Sequence, residues 1–159
     1  MPRLITRAQA LARLEKEIQP GECLGCAVNR RKDLVLIDGT HAMALLSHYP
    51  RNWGHTAVFL KRHVTHLSSV SPGEWLELNE QVRRVGVALE QVLRPLRVFL
   101  ACTGSVEKLP MTCPHIHFNL IPVYSAADKP SSIFTWENGI YEADPAEWDD
   151  LFSSLREVI

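Results

Sequence analysis

Apolar and polar positions change period repeatedly along this chain, and each change marks an element. Behind Thr6, a residue suited to capping, Leu11, Leu14 and Ile18 share one helical face until Pro20-Gly21, which predicts a helix over 6–19. The polar stretch Val28 to Asp33 reads as a turn. Leu34 to Ile37 then reads as a strand, Asp38-Gly39 as a tight hairpin signal and Ala42 to Leu46 as the returning strand. A loop marked by Pro50, Asn52 and Gly54 leads to a third strand, His55 to Leu60. Trp75, Leu78, Val82, Val85, Leu89 and Val92 then recur at helical spacing. Ser71 caps that stretch, Pro72 sits in its first turn and Glu74 completes a capping box, so a long helix is predicted from Ser71 to Leu93, stopped by Pro95. Arg97 to Cys102 is a further strand, followed by a loop through Gly104 and Pro110. Beyond Tyr124, Ser125 to Ser132 reads as loop and Pro145 to Val158 as a helix carrying Trp148, Leu151, Phe152 and Leu155. The order of elements predicts an α+β fold, an antiparallel sheet with helices on one side, in one domain without repeats.

One strand carries chemistry. In Cys113-Pro114-His115-Ile116-His117-Phe118-Asn119-Leu120-Ile121-Pro122 polar and apolar residues alternate strictly. His115, His117 and Asn119 therefore share one face, with Ile116, Phe118 and Leu120 on the other, and like-facing residues stand about 6–7 Å apart. Such a row can bind a metal, hold a phosphate or present a nucleophilic nitrogen. It is equally the pattern of a surface strand whose solvent face holds two histidines.

Composition narrows the partners. The 159 residues are 46% hydrophobic and 22% charged, enough for one packed core, and the formal charge of −1 gives no general attraction to nucleic acid or an anionic membrane. No apolar run reaches the length of a membrane span, and the start shows no signal-peptide core, so a cytoplasmic location is expected.

Cys23 and Cys26 form a C-x-x-C pair, which in such a compartment indicates metal or redox chemistry more often than a structural disulfide. The chain has no second pair, which excludes a four-cysteine ribbon, and the polar turn expected after Cys26 disfavours a thioredoxin motif. With His63 after the third strand and His115 opening the motif strand, Cys23, Cys26, His63 and His115 can make a closed Cys₂His₂ set. The rival arrangement places His115 and His117 on one ion with a water, although no acidic residue flanks the motif to serve as base.

Together these residues resemble the histidine triad (HIT) superfamily. Its signature of three histidines alternating with apolar residues stands here as His115-Ile116-His117-Phe118-Asn119-Leu120-Ile121. Tyr49-Pro50-Arg51-Asn52-Trp53-Gly54-His55 through Lys61-Arg62-His63 is similar to the family's proline loop, Gly-His strand and basic-His ending. The match spans about residues 20–124, between the N-terminal helix 6–19 and a C-terminal extension 125–159.

The resemblance implies a five-stranded antiparallel sheet with one long and one or two shorter helices, paired into a homodimer. It implies hydrolysis or transfer of a nucleotidyl group from a nucleoside phosphoanhydride or phosphoramidate, through a covalent nucleotidyl-histidine on His117. Thr112 would contact the phosphate or leaving group, and His55 matches an additional active-site histidine. Zinc-containing branches, the galactose-1-phosphate uridylyltransferases and some bacterial members, take a structural zinc on positions that here are Cys23, Cys26, His63 and His115. The ligand would be a nucleotide or nucleotidyl sugar.

Three positions depart from the pattern. Asn119 replaces the third histidine and cannot act as a general acid, as in transferase branches that carry glutamine there. Ser47 replaces an aspartate that holds the ribose hydroxyls, and Cys102-Thr103-Gly104 replaces Asn-x-Gly. These departures also suit a catalytically weak nucleotide-binding protein with a structural zinc.

Overall fold

The computed structural model describes residues 3–104, 113–134 and 139–159. In chain order it contains β1 (Arg3–Ile5), α1 (Arg7–Leu14), α2 (Leu24–Val28), β2 (Val35–Asp38), β3 (Ala42–Leu46), β4 (Thr56–Leu60), α3 (Pro72–Leu93), β5 (Arg97–Cys102), β6 (His117–Val123), α4 (Pro130–Phe134), β7 (Ile140–Glu142) and α5 (Pro145–Val158). Five strands form an antiparallel sheet in the order β2-β3-β4-β6-β5, so the motif strand β6 lies between β4 and β5.

The long helix forms as its sequence requires. Ser71 Oγ accepts the Glu74 N–H at 3.3 Å, and Glu74 Oε2 accepts the Ser71 N–H at 2.8 Å. Glu74 also takes two hydrogen bonds from Arg62, at 2.9 and 3.0 Å, which ties the helix start to the end of β4. These partners hold its carboxyl down at about 2. Leu78, Val82, Val85 and Leu89 are buried against the sheet face that carries Val58 and Leu120, where hydrophobic area leaves water. Trp75, on the same stripe, packs on Phe118.

Alternation then sends Phe59, His117 and Asn119 to the opposite face. That face borders a cavity whose far wall is α1, so the helices are not all on one side as the element order suggested. The N-terminal helix is also shorter than predicted: α1 ends at Leu14 and a 3-10 turn covers Glu15–Glu17. The cysteine pair itself, for which no element was expected, lies at and within the short helix α2 (Leu24–Val28). The turn expected over Val28 to Asp33 is present at Asn29-Arg30 and runs into a 3-10 turn at Lys32–Leu34. The stretch expected as loop after Tyr124 includes α4, at Pro130–Phe134.

A second, two-stranded sheet was not foreseen. It pairs β1 with β7 at Arg3↔Glu142 and Ile5↔Ile140, and Arg13 bridges to Glu142. The Tyr141 N–H donates to Pro50 O at 2.9 Å, so both ends of the chain clasp the loop before β4. Each strand has three residues, too short for alternation to be visible beforehand. Among the described residues, no helix is long and apolar enough to cross a membrane.

Candidate active site and metal centre

Cys23 caps α2, its sulfur accepting the Cys26 N–H at 3.3 Å, so the pair curls around the first turn of a helix. The described element directly before it is the 3-10 turn Glu15–Glu17 rather than a strand, which separates the arrangement from a strand-to-helix redox motif. Gly25 lies between the two cysteines. A Cβ there would sit 2.5 Å from Cγ of His115, so only glycine lets α2 rest on that ring. His115 is fully buried, and its Nε2–H donates to Leu60 O at 2.6 Å, which leaves Nδ1 facing the sulfurs.

The donor atoms stand at 3.3 Å (Cys23 Sγ–Cys26 Sγ), 3.3 and 3.5 Å (Cys23 Sγ to Nδ1 of His63 and His115), and 3.4 and 3.7 Å (Cys26 Sγ to the same nitrogens). All four lie within 4.8 Å of one another. A tetrahedral ion with bonds of about 2.0–2.3 Å needs ligand atoms about 3.3–3.8 Å apart, so the set fits a metal closely. Both cysteines are free thiols. Burial, with Cys23 adjacent, pushes the Cys26 thiol up to about 11, so a bound cation is what would hold Cys26 as a thiolate.

The rival arrangement, with His115 and His117 on one ion, is not formed. His117 Nδ1–H donates to the His115 carbonyl at 2.7 Å, and the ring stacks on Phe59 at 4.7 Å. The backbone bond fixes the tautomer, so Nε2 carries the lone pair, with no hydrogen-bond partner among the described residues. Burial is the main reason His117 is held down at about 4, with the charge of Arg51 contributing, and its imidazole is therefore neutral at ordinary pH. His117 and Asn119 are both buried, which excludes the solvent-facing surface strand. The strand begins only at His117; His115 precedes it, its N–H donating to Cys113 O at 2.8 Å.

Beside His117 runs a chain of hydrogen bonds. The Arg51 N–H donates to His55 Nδ1 at 3.4 Å, His55 Nε2–H to Asn119 Oδ1 at 3.0 Å, and Asn119 Nδ2 to Thr103 Oγ1 at 2.9 Å. Burial, then the charge of Arg51, pushes His55 down to about 3, so it is a neutral donor to the amide. An unfolded histidine titrates near 6.5. Stability from keeping His55 neutral is thus complete above that pH and drains away as pH falls toward about 3. Urea midpoints across pH 3–7 should fall steadily on acidification, and less steeply for His55→Gln.

The cavity has a volume of about 420 Å³, within the range of small-molecule sites. Its polar end holds Ser47, His55, Thr103, His117 and Asn119, and Leu11, Leu14, Ile18, Leu24 and Val28 line its apolar side. An open depression between the β2–β3 hairpin and α3 carries none of these residues. Ser47 is beside the cavity, but its hydroxyl accepts the Tyr49 N–H at 3.2 Å and closes a turn. Thr112 lies outside the described residues.

Arg7, Arg51 and Thr103 are among the cavity residues that had no role in the sequence reading. Thr103 had entered only as the middle residue of the stretch that replaces Asn-x-Gly; the β5–β6 register, which pairs Ala101 with Asn119, brings its hydroxyl beside the amide.

The fold and this row of side chains define a histidine-triad type of site. The chain belongs to the HIT domain family, whose model matches residues 29–126. Among solved structures, it is similar to a hypothetical histidine triad nucleotide-binding protein from Sulfolobus tokodaii, with a TM-score of 0.67, 23% identity, and 86% of this chain and 91% of that one covered. A Zn-bound histidine triad family protein from Mycobacterium smegmatis matches with a TM-score of 0.60 and 20% identity, over 85% of this chain and 94% of the other. The diadenosine triphosphate hydrolase of Plasmodium falciparum matches at 0.58 and 15%, over 79% and 78%. No curated protein gives a significant match. Cys23, Cys26 and α1 lie outside the region the family model covers.

Proposed function

We propose that this protein is a nucleotidyl hydrolase or transferase that cleaves a nucleoside phosphoanhydride or phosphoramidate through a covalent intermediate on His117. The observation that carries the reading is the 2.7 Å bond from His117 Nδ1 to the His115 carbonyl, inside a cavity of nucleotide size. It aligns a neutral ring with the lone pair on Nε2, the form a nucleophile needs.

Nε2 bonds to the α-phosphorus, and the bond from phosphorus to the leaving group breaks with its electron pair going to that group, which leaves a phosphoanhydride as its anion and leaves a phosphoramidate as an amine after taking a proton from solvent. Nδ1–H stays on the His115 carbonyl, which stabilises the positive charge that develops on the ring. Water or an acceptor hydroxyl then bonds to phosphorus, the N–P pair returns to the ring, and the acceptor's proton passes to solvent. Asn119 keeps one N–H of its amide beyond the bond to Thr103, a donor for a phosphate oxygen. Thr112 is the second proposed contact to the phosphate, and Ser47 borders the ribose.

Zinc is the metal proposed for Cys23, Cys26, His63 and His115, because a mixed thiolate and imidazole set suits it. When bound, it would anchor His115, whose carbonyl orients His117. The proposed assembly is a homodimer and the proposed location cytoplasmic.

The replacement of an imidazole by Asn119, with its carbonyl bound to His55, favours transfer to an acceptor other than water, or slow hydrolysis, and is the observation that favours the weak-binding reading. Turnover of a dinucleoside polyphosphate, a nucleotidyl sugar and a nucleoside phosphoramidate tests the proposal. At least one should be cleaved, and Asn119→His should speed its hydrolysis by roughly 10²-fold by restoring an ionisable group. Binding of these compounds without turnover in either form would establish the weak-binding reading instead.

A further inference from the structure

In the β5–β6 ladder Ala101 stands opposite Asn119 and Cys102 opposite Phe118, so one step further sets Thr103 across from His117. The chain keeps that course past the end of β5. A Cβ on Gly104 would collide with the His115 carbonyl oxygen and lie 3.2 Å from the Ile116 Cα, so only glycine lets the backbone rest against the carbonyl that orients His117. Opposed residues in such a ladder share a face, with Cβ atoms about 4.5–5.5 Å apart. Thr103 accordingly lines the cavity together with His117 and Asn119.

The hydrogen bonds that reach Thr103 run in one direction. The Arg51 backbone N–H can only donate, so His55 Nδ1 accepts and the proton of the neutral ring lies on Nε2. Nε2–H donates to Asn119 Oδ1, which turns the amide and sends its NH₂ to Thr103 Oγ1 at 2.9 Å. A hydroxyl that accepts still has its own proton to give. Among the described residues no protein group takes that proton.

We infer that Thr103 is a substrate-binding residue whose hydroxyl donates to a non-bridging oxygen of the phosphoryl group that His117 attacks. This rests on the proposed attack and adds a residue that holds the group under attack. Burial and the charge of Arg51 hold His55 at about 3, so the chain of donors carries no charge of its own. Each bond polarises the next, and an anionic oxygen at the end receives the strongest bond. The proton stays on Oγ1 throughout. Beside it, the second N–H of Asn119 gives a further donor on the same face of the cavity.

Calorimetric titration of the full chain with adenosine, uridine and their 5′-monophosphates tests the contact without requiring turnover. Wild type should bind at least one monophosphate more tightly than its nucleoside. Thr103→Val keeps the shape and removes the hydroxyl. It should weaken that monophosphate by about 10-fold or more and leave the nucleoside within about 2-fold. Thr103→Ser should restore most of the loss. An Asn119→Ala background separates direct contact from action through the amide: adding Thr103→Val should still weaken the monophosphate. Should Thr103→Val fail to fold, Thr103→Ala decides.

The inference is overturned by any of four results: no monophosphate binding by wild type, equal monophosphate binding by wild type and Thr103→Val, equal losses for nucleoside and monophosphate, or no further loss in the Asn119→Ala background. Equal losses would put the hydroxyl on the ribose or give it a structural role alone. A monophosphate forms no adduct, so the result is separate from whether His117 is labelled.

Discussion

His117→Ala is expected to lower nucleotidyl turnover by about 10⁴-fold or more, the scale on which enzymes lose a covalent nucleophile. The fall should appear in kcat with little change in nucleotide affinity, because most of the cavity wall is untouched. Stability should also drop, since the ring is buried and stacked on Phe59. For that reason His117→Gln, closer in volume, is the better kinetic comparison. Equal turnover by wild type and both variants, measured by single-turnover quench, would place the chemistry elsewhere.

Loss of the metal should have the second largest effect. Cys23→Ser with Cys26→Ser, or chelation under reducing conditions, removes the ion that would join α2, the turn after β4 and the lead-in to β6. A ligand bound only by the native state and present at about 1,000 times its Kd adds about 4 kcal/mol. At roughly 2–4 °C per kcal/mol for a chain of this size, Tm should fall by on the order of 10 °C. Activity should fall with it, because the His115 carbonyl that orients His117 belongs to one of the four residues proposed to hold the metal. Elemental analysis of protein purified without chelator should give about one zinc per chain for wild type and none for the double variant. Metal-free wild type with an unchanged melting curve would remove the metal from the account.

The sheet and the long helix were legible because their signals are local. The Ser71–Glu74 box, the β2–β3 hairpin signal and the stripe from Leu78 to Leu89 each lie within a short window, and each element forms, although Asp38 ends β2 opposite Met43 and the turn closes one step later, from Gly39 to Ala42. The four metal donors came from residue type and a family pattern, and the structure brings all four together. What stayed hidden depends on contacts remote in sequence. Helix α2 has five residues and is fixed by Gly25 resting on a ring ninety positions away. The β1–β7 clasp joins the two ends of the chain. Arg7 reaches the cavity only because α1 crosses the sheet face opposite α3, which no periodicity reveals. The alternation in β6 identified the face His117 shares with Asn119, but not that the face is buried.

The direct test of the central claim is the mass of the intact protein after brief incubation with a cleavable nucleotide and a quench in alkali, which spares phosphoramidates. Wild type should gain the mass of one nucleotidyl group, located on the peptide that contains His117 and lost in acid. An adduct that persists in His117→Ala, or no adduct with any nucleotide that the protein turns over, would contradict a covalent nucleotidyl-histidine at this position.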